Sequence, residues 1–169
     1  MKPRLNIASG TDLRQPPWIN LDIVPKWPCA DRGCDVIWDG RKDPLPFPDA
    51  SIEECFCGYT LLHLPPYRHQ PLLSEILRVL EPGGRLEVRE VDMPVVMAKW
   101  IADPFDKCAE LIWGEQGTVH GSELADYDKH CHGFSRDSLV TTLVNAGFRS
   151  AACFDRRDVW YDLWAEAIR

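Results

Sequence analysis

The sequence predicts an α/β fold of the Rossmann-like type, with a mostly parallel sheet that ends in a carboxyl-terminal antiparallel hairpin. Short apolar segments alternate with loops and helical segments, and small or acidic residues follow where the strands would end. The last two apolar segments flank a short polar turn. A chain of 169 residues suits one hydrophobic core. Residues 1–169 are therefore expected to form a single domain.

The first three strands are short, and the links between them lack helical periodicity. Strands are predicted at residues 4–8, 18–24 and 34–38, where apolar runs end at small or acidic residues. Pro16 and Pro17 interrupt the first link, and prolines keep the stretch after the third strand extended. The sheet is therefore expected to be trimmed at its first crossover helices.

The rest of the chain supplies the helices and the remaining strands. A helix is predicted over 66–80, because apolar residues recur on one face and the segment ends at the glycine turn EPGG. A later helix is predicted between Ser135, a favoured N-cap residue, and Gly147, a favoured residue after a helix. The remaining strands are predicted at 52–58, 85–91, 148–154 and 159–168, of which the last two form the hairpin.

Residues 94–133 are predicted to form a substrate-side helix and lid region. Residues 94–113 are helical in character and are broken by a proline. Residues 114–133 are polar and lack periodicity, and loops of this length inside a domain are usually functional.

Charge and composition exclude several classes of partner. With 19 basic and 26 acidic residues the net charge is −7, which disfavours nucleic acid. No apolar run approaches the roughly 18 residues of a membrane span, so a cytoplasmic protein with no membrane partner is expected. The seven cysteines are an odd set without zinc-site spacing, which favours reduced thiols and no metal. The sequence gives no indication of oligomeric state.

The strand ends carry residues suited to a ribose-bearing ligand. Open α/β sheets bind ligands beyond the carboxyl ends of their strands. There, small residues permit close approach, and a carboxylate such as Asp22, at the end of the second strand, can accept both ribose hydroxyls. For any one of these acidic residues, the alternative to ligand binding is a solvent-exposed position in a turn. The strand-end residues are Ala8, Ser9, Gly10, Asp22, Asp39, Gly40, Cys57, Gly58, Tyr59 and Asp92.

Several segments follow one another in an order that is typical of one enzyme family. They are LNIASG, WINLDI, DVIWDGRKDPLPFPDASIEEC, LLSEILRVLEPGGRLEV and HGFSRDSLVTTLVNAGF. In this order they resemble the class I S-adenosylmethionine-dependent methyltransferases, specifically small members of the predicted bacterial type. The resemblance covers residues 5–93 and, less closely, 130–149. Asn6 stands where the family usually carries an acid, and Ala8 stands for its first glycine.

The resemblance implies S-adenosyl-L-methionine as cofactor and a placement for each of its parts. The backbone of Ala8, Ser9 and Gly10 would approach the methionine portion, and Asp22 would bind the ribose. Ile23 would face the adenine ring, and Asp39 and Gly40 would lie at its amino edge. The wall nearest the sulfonium would be formed by Cys57, Gly58 and Tyr59. The implied activity is methyl transfer to a small-molecule or sugar-like acceptor by in-line displacement.

Methyl transfer from a sulfonium needs mainly a positioned nucleophile, and a general base assists a hydroxyl or amine acceptor. The candidates for this catalytic role are His63, Tyr59, Asp92 and His132, with His120 and His130 also in the lid region. A hydrogen-bonded structural histidine is the alternative for each histidine, and His69 is expected at the surface.

Two other functions compete with the enzyme. A non-catalytic binding or regulatory protein with the methyltransferase fold is favoured by the altered glycine motif, whereas the acids at 22 and 39 favour the enzyme. The hypothesis of a nicotinamide-dependent enzyme is less well supported, because no G-x-G-x-x-G motif follows the first strand. In addition, no crossover helix is predicted whose N-terminus could bind a pyrophosphate.

Overall fold

The computed structural model describes residues 2–27, 30–103, 106–114, 129–156 and 159–169. Within them lies a seven-stranded sheet with the strand order β3-β2-β1-β4-β5-β7-β6. The strands are β1 (Arg4–Ile7), β2 (Trp18–Asp22), β3 (Val36–Ile37), β4 (Ile52–Gly58), β5 (Leu80–Val91), β6 (Ser150–Phe154) and β7 (Asp162–Ile168). The first five strands are parallel, and β7 runs antiparallel to both β5 and β6. The predicted Rossmann-like sheet with a carboxyl-terminal antiparallel hairpin is confirmed.

Three of the four described helices begin at residues that suit a helix start. The helices are α1 (Pro66–Val79), α2 (Met93–Ala102), α3 (Asp106–Trp113) and α4 (Arg136–Asn145), and a 3-10 turn covers Leu61–His63. Proline occupies the first turn of α1 and of α2, where its missing N–H costs no hydrogen bond. Ser135 caps α4 by accepting a hydrogen bond from the backbone N–H of Ser138. Gly147 follows α4 with a φ of +107°, as a glycine after a helix commonly does.

The main hydrophobic core lies between one face of the sheet and the helices α1 and α4. Alternate residues along β1, β4 and β5 point into it, because side chains on a strand alternate between its faces. Helix α1 contributes residues spaced three and four apart, which share one side of a helix. The fully buried members include Leu5, Ile7, Cys55, Cys57, Leu73, Ile76, Leu86, Val88, Leu139 and Leu143.

The opposite face of the sheet carries a layer of arginine and aromatic side chains. The guanidinium carbon of Arg14 lies 3.6 Å from the ring centroid of Phe56 and 4.5 Å from that of Trp18. The guanidinium carbon of Arg156 lies 4.1 Å from a ring centroid of Trp164. A guanidinium stacked on an aromatic face covers apolar surface and keeps its charge at the surface.

The link between β1 and β2 contains no helix, as predicted from its prolines. A buried amide pair holds it instead. Asn6 donates from Nδ2 to Oδ1 of Asn20 at 2.9 Å and to the carbonyl of Asp12 at 2.6 Å. Asn20 also accepts from the backbone N–H of Arg14 at 2.8 Å and donates to Oδ2 of Asp35 at 2.7 Å. Loop backbone groups that a helix would have satisfied internally are satisfied here by side chains.

Several element boundaries differ from those predicted. Strand β2 ends at Asp22, because Oδ1 of this residue accepts the N–H of Val24 at 2.9 Å and turns the chain. Strand β5 begins at Leu80, which pairs with Ile52 before a bulge that contains Gly83. Strand β3 has only two residues, and β7 begins at Asp162, three residues later than expected.

The predicted substrate-side region 94–133 is only partly described. Residues 104, 105 and 115–128 lie outside the described residues, and with them His120. Both the single-domain assignment and the lid stay predictions. Among the described helices, none is long and apolar enough to cross a membrane.

We predict that Asn20→Ala lowers the free energy of unfolding by about 2–4 kcal/mol. Asn20 is fully buried, and its removal leaves donors on Asn6 and Arg14 without their acceptor. Urea unfolding at neutral pH measures the effect, with the exposed Asn145→Ala as the matched control. A loss below about 0.5 kcal/mol in Asn20→Ala would show that the amide pair does not hold the loop.

Candidate functional site

A cavity of about 680 Å³ lies at the carboxyl ends of the parallel strands. It brings together ten of the predicted site residues, including Asp22 and Asp39 from neighbouring strand ends. Those ten are Ala8, Ser9, Gly10, Asp22, Ile23, Asp39, Gly40, Gly58, Tyr59 and His63. The two acids therefore face one common space.

Strained backbone follows the two central strands where they reach the cavity. Ala8, directly after β1, has a φ of +50°, and Tyr59, directly after β4, has a φ of +51°. Residues with a side chain rarely adopt this conformation, and such strain concentrates at functional sites. This strain could not be predicted from the sequence, since neither residue is a glycine.

The loop after β1 offers polar groups to the cavity. The N–H of Ser9 donates to the carbonyl of Leu21 at 2.8 Å, which ties this loop to β2. The hydroxyl oxygen of Ser9 is buried and makes no hydrogen bond among the described residues. A buried hydroxyl on a cavity wall is a group that a polar ligand can satisfy.

Asp22 joins the two loops that border the cavity. Its Oδ2 accepts the N–H of Gly10 at 2.7 Å, and its Oδ1 accepts the N–H of Val24 at 2.9 Å. Asp22 is only 4% exposed. Each carboxylate oxygen has a second lone pair, so both can still accept a hydrogen bond from a ligand.

Asp39 is held by the basic residues that follow it. Its Oδ1 accepts from the backbone N–H and from Nε of Arg41, both at 3.0 Å, and Lys42 lies 3.2 Å from Oδ2. Burial opposes the charge of Asp39, but the hydrogen bonds from Arg41 prevail and lower the pKa to about 2. The carboxylate is therefore charged and oriented at neutral pH.

Two glycines keep aromatic rings close to the cavity wall. A Cβ on Gly40 would lie 2.6 Å from the ring of Trp38, and a Cβ on Gly58 would lie 2.7 Å from the ring of Phe56. The Trp38 ring is fixed, because its Nε1 donates to the carbonyl of Pro44 at 3.0 Å. Side chains larger than glycine would displace these rings.

Tyr59 belongs to a charged cluster that borders the cavity. Its hydroxyl donates to Oδ1 of Asp162, and Oδ2 of Asp162 pairs with Arg89 at 2.8 Å. Burial and the bond to Asp162 both raise the pKa of Tyr59. Tyr59 was predicted as a catalytic residue, but its hydroxyl proton is already hydrogen-bonded to the carboxylate of Asp162.

His63 and His130 meet edge to face on the cavity wall. Their ring centroids lie 4.9 Å apart, with an angle of 72° between the ring planes. His63 Nδ1 lies 3.2 Å from the carbonyl of Lys129, and His130 Nδ1 lies 2.9 Å from the carbonyl of Leu111. Since a carbonyl only accepts, Nδ1 carries the proton in each ring and Nε2 keeps its lone pair.

Three predicted site residues do not lie on the cavity. Cys57 points from β4 into the core, Asp92 forms the N-terminal boundary of α2, and His132 packs edge to face against Phe134 at 4.7 Å. The structure corrects their expected place at the cofactor and acceptor. His69, expected at the surface, is buried, and its Nε2 lies 2.8 Å from the carbonyl of Leu61.

The sequence did not predict several residues of the cavity wall. They come from the loops after β2 and β3, from the end of β5 and from the segments beside the charged cluster. They include Trp27, Trp38, Thr60, Arg89, Val91 and Tyr161. Leu111 and His130 also lie on the wall, and both belong to the region 94–133 that the sequence predicted on the substrate side.

Glu90 supports the turn that carries His63. It is fully buried on β5, and its carboxylate oxygens accept the N–H of Leu61 at 2.8 Å and of Leu62 at 3.3 Å. Burial nevertheless raises the pKa of Glu90 to about 8.

We predict that ionisation of Glu90 makes the fold less stable at alkaline pH. A carboxyl whose pKa is raised on folding stabilises the protein fully below its ordinary pKa, and this contribution is lost as the pH rises towards about 8. The unfolding free energy should fall by a few kcal/mol between pH 5 and pH 8.5, and Glu90→Gln should flatten this dependence. Urea unfolding across the pH range measures it. Glu53→Gln, on a partly exposed glutamate of β4, should keep the wild-type slope, and a wild-type slope in Glu90→Gln would contradict the assignment.

Comparison with known proteins finds one matching domain model and several solved structures with a similar fold. The family model for the methyltransferase domain matches residues 22–88. The fold is similar to that of a methyltransferase dependent on S-adenosylmethionine (SAM) from Methanosarcina mazei, with a TM-score of 0.61 and 16% identity over 99% of this chain and 90% of that one. It is also similar to a possible histamine N-methyltransferase from Thermotoga maritima, with a TM-score of 0.61 and 18% identity over 99% of this chain and 82% of that one. No curated protein matches the sequence.

These findings confirm the predicted resemblance to class I methyltransferases at the level of the fold. The solved structures show the shared fold, and the model of a methyltransferase domain matches residues 22–88. The bacterial type and the roles of individual residues stay predictions.

Proposed function

We propose that this chain, which has the fold of the SAM-dependent methyltransferases and matches their domain model over residues 22–88, transfers a methyl group from S-adenosylmethionine to a small-molecule acceptor. One observation carries the proposal. Asp22 and Asp39, from separate strand ends, line the same cavity as the small residues of the loop after β1.

The cavity residues fit the chemical groups of the cofactor. The buried hydroxyl of Ser9 lacks a partner among the described residues, which suits the charged amino-acid portion of a ligand. Asp22 has lone pairs for ribose hydroxyls, and the charged Asp39 can accept from an adenine amino group. Gly10 has open space where a side chain would lie, and Gly40 and Gly58 let the rings of Trp38 and Phe56 pack against the backbone at the cavity wall.

The protein's own contribution is to hold the acceptor and to exclude water. Bound S-adenosylmethionine supplies a methyl group that is already activated by its positively charged sulfur. A nucleophile held in line therefore needs no covalent intermediate with the protein. We propose that the described part of the predicted substrate-side region contributes to the acceptor side, because Lys107, Glu110 and Leu111 of α3 and His130 line the cavity.

A small acceptor suits the charge and the size of the site. The net charge of −7 opposes binding of a phosphate backbone. Sites for small molecules typically have volumes of a few hundred Å³ or more. The cavity, at about 680 Å³, therefore has the size of a site for a cofactor and a small ligand.

We predict that Asp22→Asn abolishes cofactor binding or weakens it at least tenfold. The substitution removes one carboxylate oxygen, so that one backbone N–H or one ribose hydroxyl loses its acceptor. Calorimetric titration with S-adenosylmethionine and with S-adenosylhomocysteine measures the affinity. Saturation of the wild type at about 100 times the dissociation constant should add about 2.7 kcal/mol of stability and raise the melting temperature by roughly 5–10 °C.

Asp31→Asn is the matched control, because it removes an exposed carboxylate that does not lie on the cavity. It should bind as the wild type does. A melting-temperature rise with NAD and none with either sulfur nucleoside would overturn the proposal. The non-catalytic alternative also keeps cofactor binding, so the two are separated by turnover: formation of S-adenosylhomocysteine with any acceptor excludes the non-catalytic alternative.

A further inference from the structure

The cavity continues beyond the strand-end acids towards an apolar second cluster. This cluster is buried beneath α2 and α3 and includes Leu62, Val91, Val96, Cys108 and Leu111, with Tyr59 and Tyr161 packed against it. Val91, Leu111, Tyr59 and Tyr161 also line the cavity. This end of the cavity therefore presents aliphatic and aromatic surface beside two ion pairs, Lys107–Glu110 and Arg89–Asp162. The end near Asp22 instead presents hydrogen-bonding groups such as the Ser9 hydroxyl, which is unpaired among the described residues.

The His63 and His130 pair borders the apolar end. His63 belongs to the 3-10 turn after β4, and His130 reaches it from a segment far along the chain. That segment is fixed to the turn, because the N–H groups of Cys131 and His132 both donate to the carbonyl of Leu62, at 2.7 Å and 3.2 Å. The backbone bonds at Nδ1 of both rings set the tautomer in which Nε2 can accept a proton.

Among the described residues, two ion pairs lie near this histidine pair and influence its protonation. Lys107 and Glu110 of α3 line the same part of the cavity and lie 3.2 Å apart as an ion pair. Arg89 is paired with Asp162, which also holds the hydroxyl of Tyr59. Burial and the neighbouring His130 lower the pKa of His63 to about 4, and burial also lowers the pKa of His130. Both rings are neutral at physiological pH.

Resting on the proposed function, we propose that the acceptor is a phenol-type hydroxyl on an apolar, planar body, that His63 accepts its proton at Nε2, and that His130 positions His63. His63 would be a catalytic residue, since it contacts the reacting hydroxyl. His130 would act through His63.

The reaction balances without any further reagent. The acceptor oxygen forms a bond to the methyl carbon while the carbon–sulfur bond breaks, and the electron pair of that bond stays on sulfur to give the neutral thioether. The hydroxyl proton moves to Nε2 of His63, which becomes an imidazolium and later releases this proton to solvent.

A phenol fits this end of the cavity better than a sugar-like acceptor does. Its ring can pack against Tyr59, Tyr161 and Leu111, where the hydroxyls of a sugar would lose their hydrogen bonds to water. A buried imidazole is a weak base, and proton transfer to a weak base favours an acidic hydroxyl. Phenolic hydroxyls ionise near pH 10, well below aliphatic alcohols.

The test compares phenol with thiophenol, two acceptors of the same shape that differ in the acidity of the reacting group. In His63→Ala we expect kcat with phenol to fall by about 100-fold or more, which is the range for loss of a general base. With thiophenol, which ionises more readily and needs less help from a base, the loss should stay below about tenfold. Formation of S-adenosylhomocysteine measures both rates, and Tyr67→Phe, at an exposed tyrosine of α1, serves as the control variant.

The role of His130 is tested with two substitutions. His130→Phe keeps a ring but loses the donor to the carbonyl of Leu111, and we expect about a tenfold lower kcat with phenol and an unchanged KM for S-adenosylmethionine. Because His130 helps to hold the pKa of His63 low, the acid limb of the pH profile should also move to higher pH. His130→Asn offers an amide donor near the position of Nδ1 and should restore most of the rate.

A readout independent of turnover is the tautomer of His63, measured by nitrogen NMR of the full chain. We expect a proton on Nδ1 and titration well below pH 6. A proton on Nε2, or equal losses with phenol and thiophenol in His63→Ala, would overturn the inference. Cofactor binding with turnover of neither acceptor would overturn the acceptor class while leaving the proposed function intact. Failure of the wild type to bind S-adenosylmethionine would overturn the proposed function itself.

Discussion

The buried hydrogen bond between Asn6 and Asn20 is the constraint on which the candidate site depends. Both side chains are almost completely buried, and together they satisfy the backbone of a loop that has no helix. Burying two amides is unfavourable unless their hydrogen bonds are made, and here each amide has partners. The pair therefore fixes the course of residues 8–17 as firmly as a crossover helix would.

That loop in turn positions the cofactor side of the cavity. Gly10 lies within it and donates to Asp22, so the carboxylate at the end of β2 is oriented by a loop that begins at the end of β1. Ala8 accepts a strained backbone conformation at the same place. A carboxylate held by two backbone N–H groups is preorganised for a ligand, because little entropy is left to lose on binding.

The sequence predicted those parts of the fold that depend on local chemistry. The prolines at 16 and 17 indicated a link without a helix, Ser135 indicated the start of α4, and the alternation in residues 159–168 indicated a hairpin strand. Eight of the ten predicted residues that line the cavity were predicted because parallel strands all end at one edge of the sheet, and periodicity and position along the chain were enough for these. Ile23 was implied by the family resemblance, and His63 was predicted as a candidate base.

The strand boundaries that differed from the prediction depend on contacts with other parts of the chain. The hydrophobic periodicity of one segment carries no information about such contacts. β2 stops at Asp22 because the carboxylate bonds the chain that follows, and β5 extends back to Leu80 because a bulge keeps it paired with β4. Cys57 was assigned to the cavity from its place beside Gly58, but a one-residue step along a strand moves a side chain to the opposite face. His132 lies two positions after His130, and its ring packs against Phe134 while that of His130 lines the cavity.

The acceptor side shows why such a site is hard to read from one sequence. His63 and His130 are 67 positions apart in the sequence, and no sequence motif links them, although their rings are in contact. They meet because the carbonyl of Leu62 accepts two N–H groups from the later segment, a contact that depends on backbone geometry and not on residue type. Glu90, buried below the same turn, bonds the N–H groups of Leu61 and Leu62. The turn is therefore bonded both by the carboxyl group of Glu90 on β5 and by the segment that carries His130. The position of His63, and of any ligand that contacts it, depends on both.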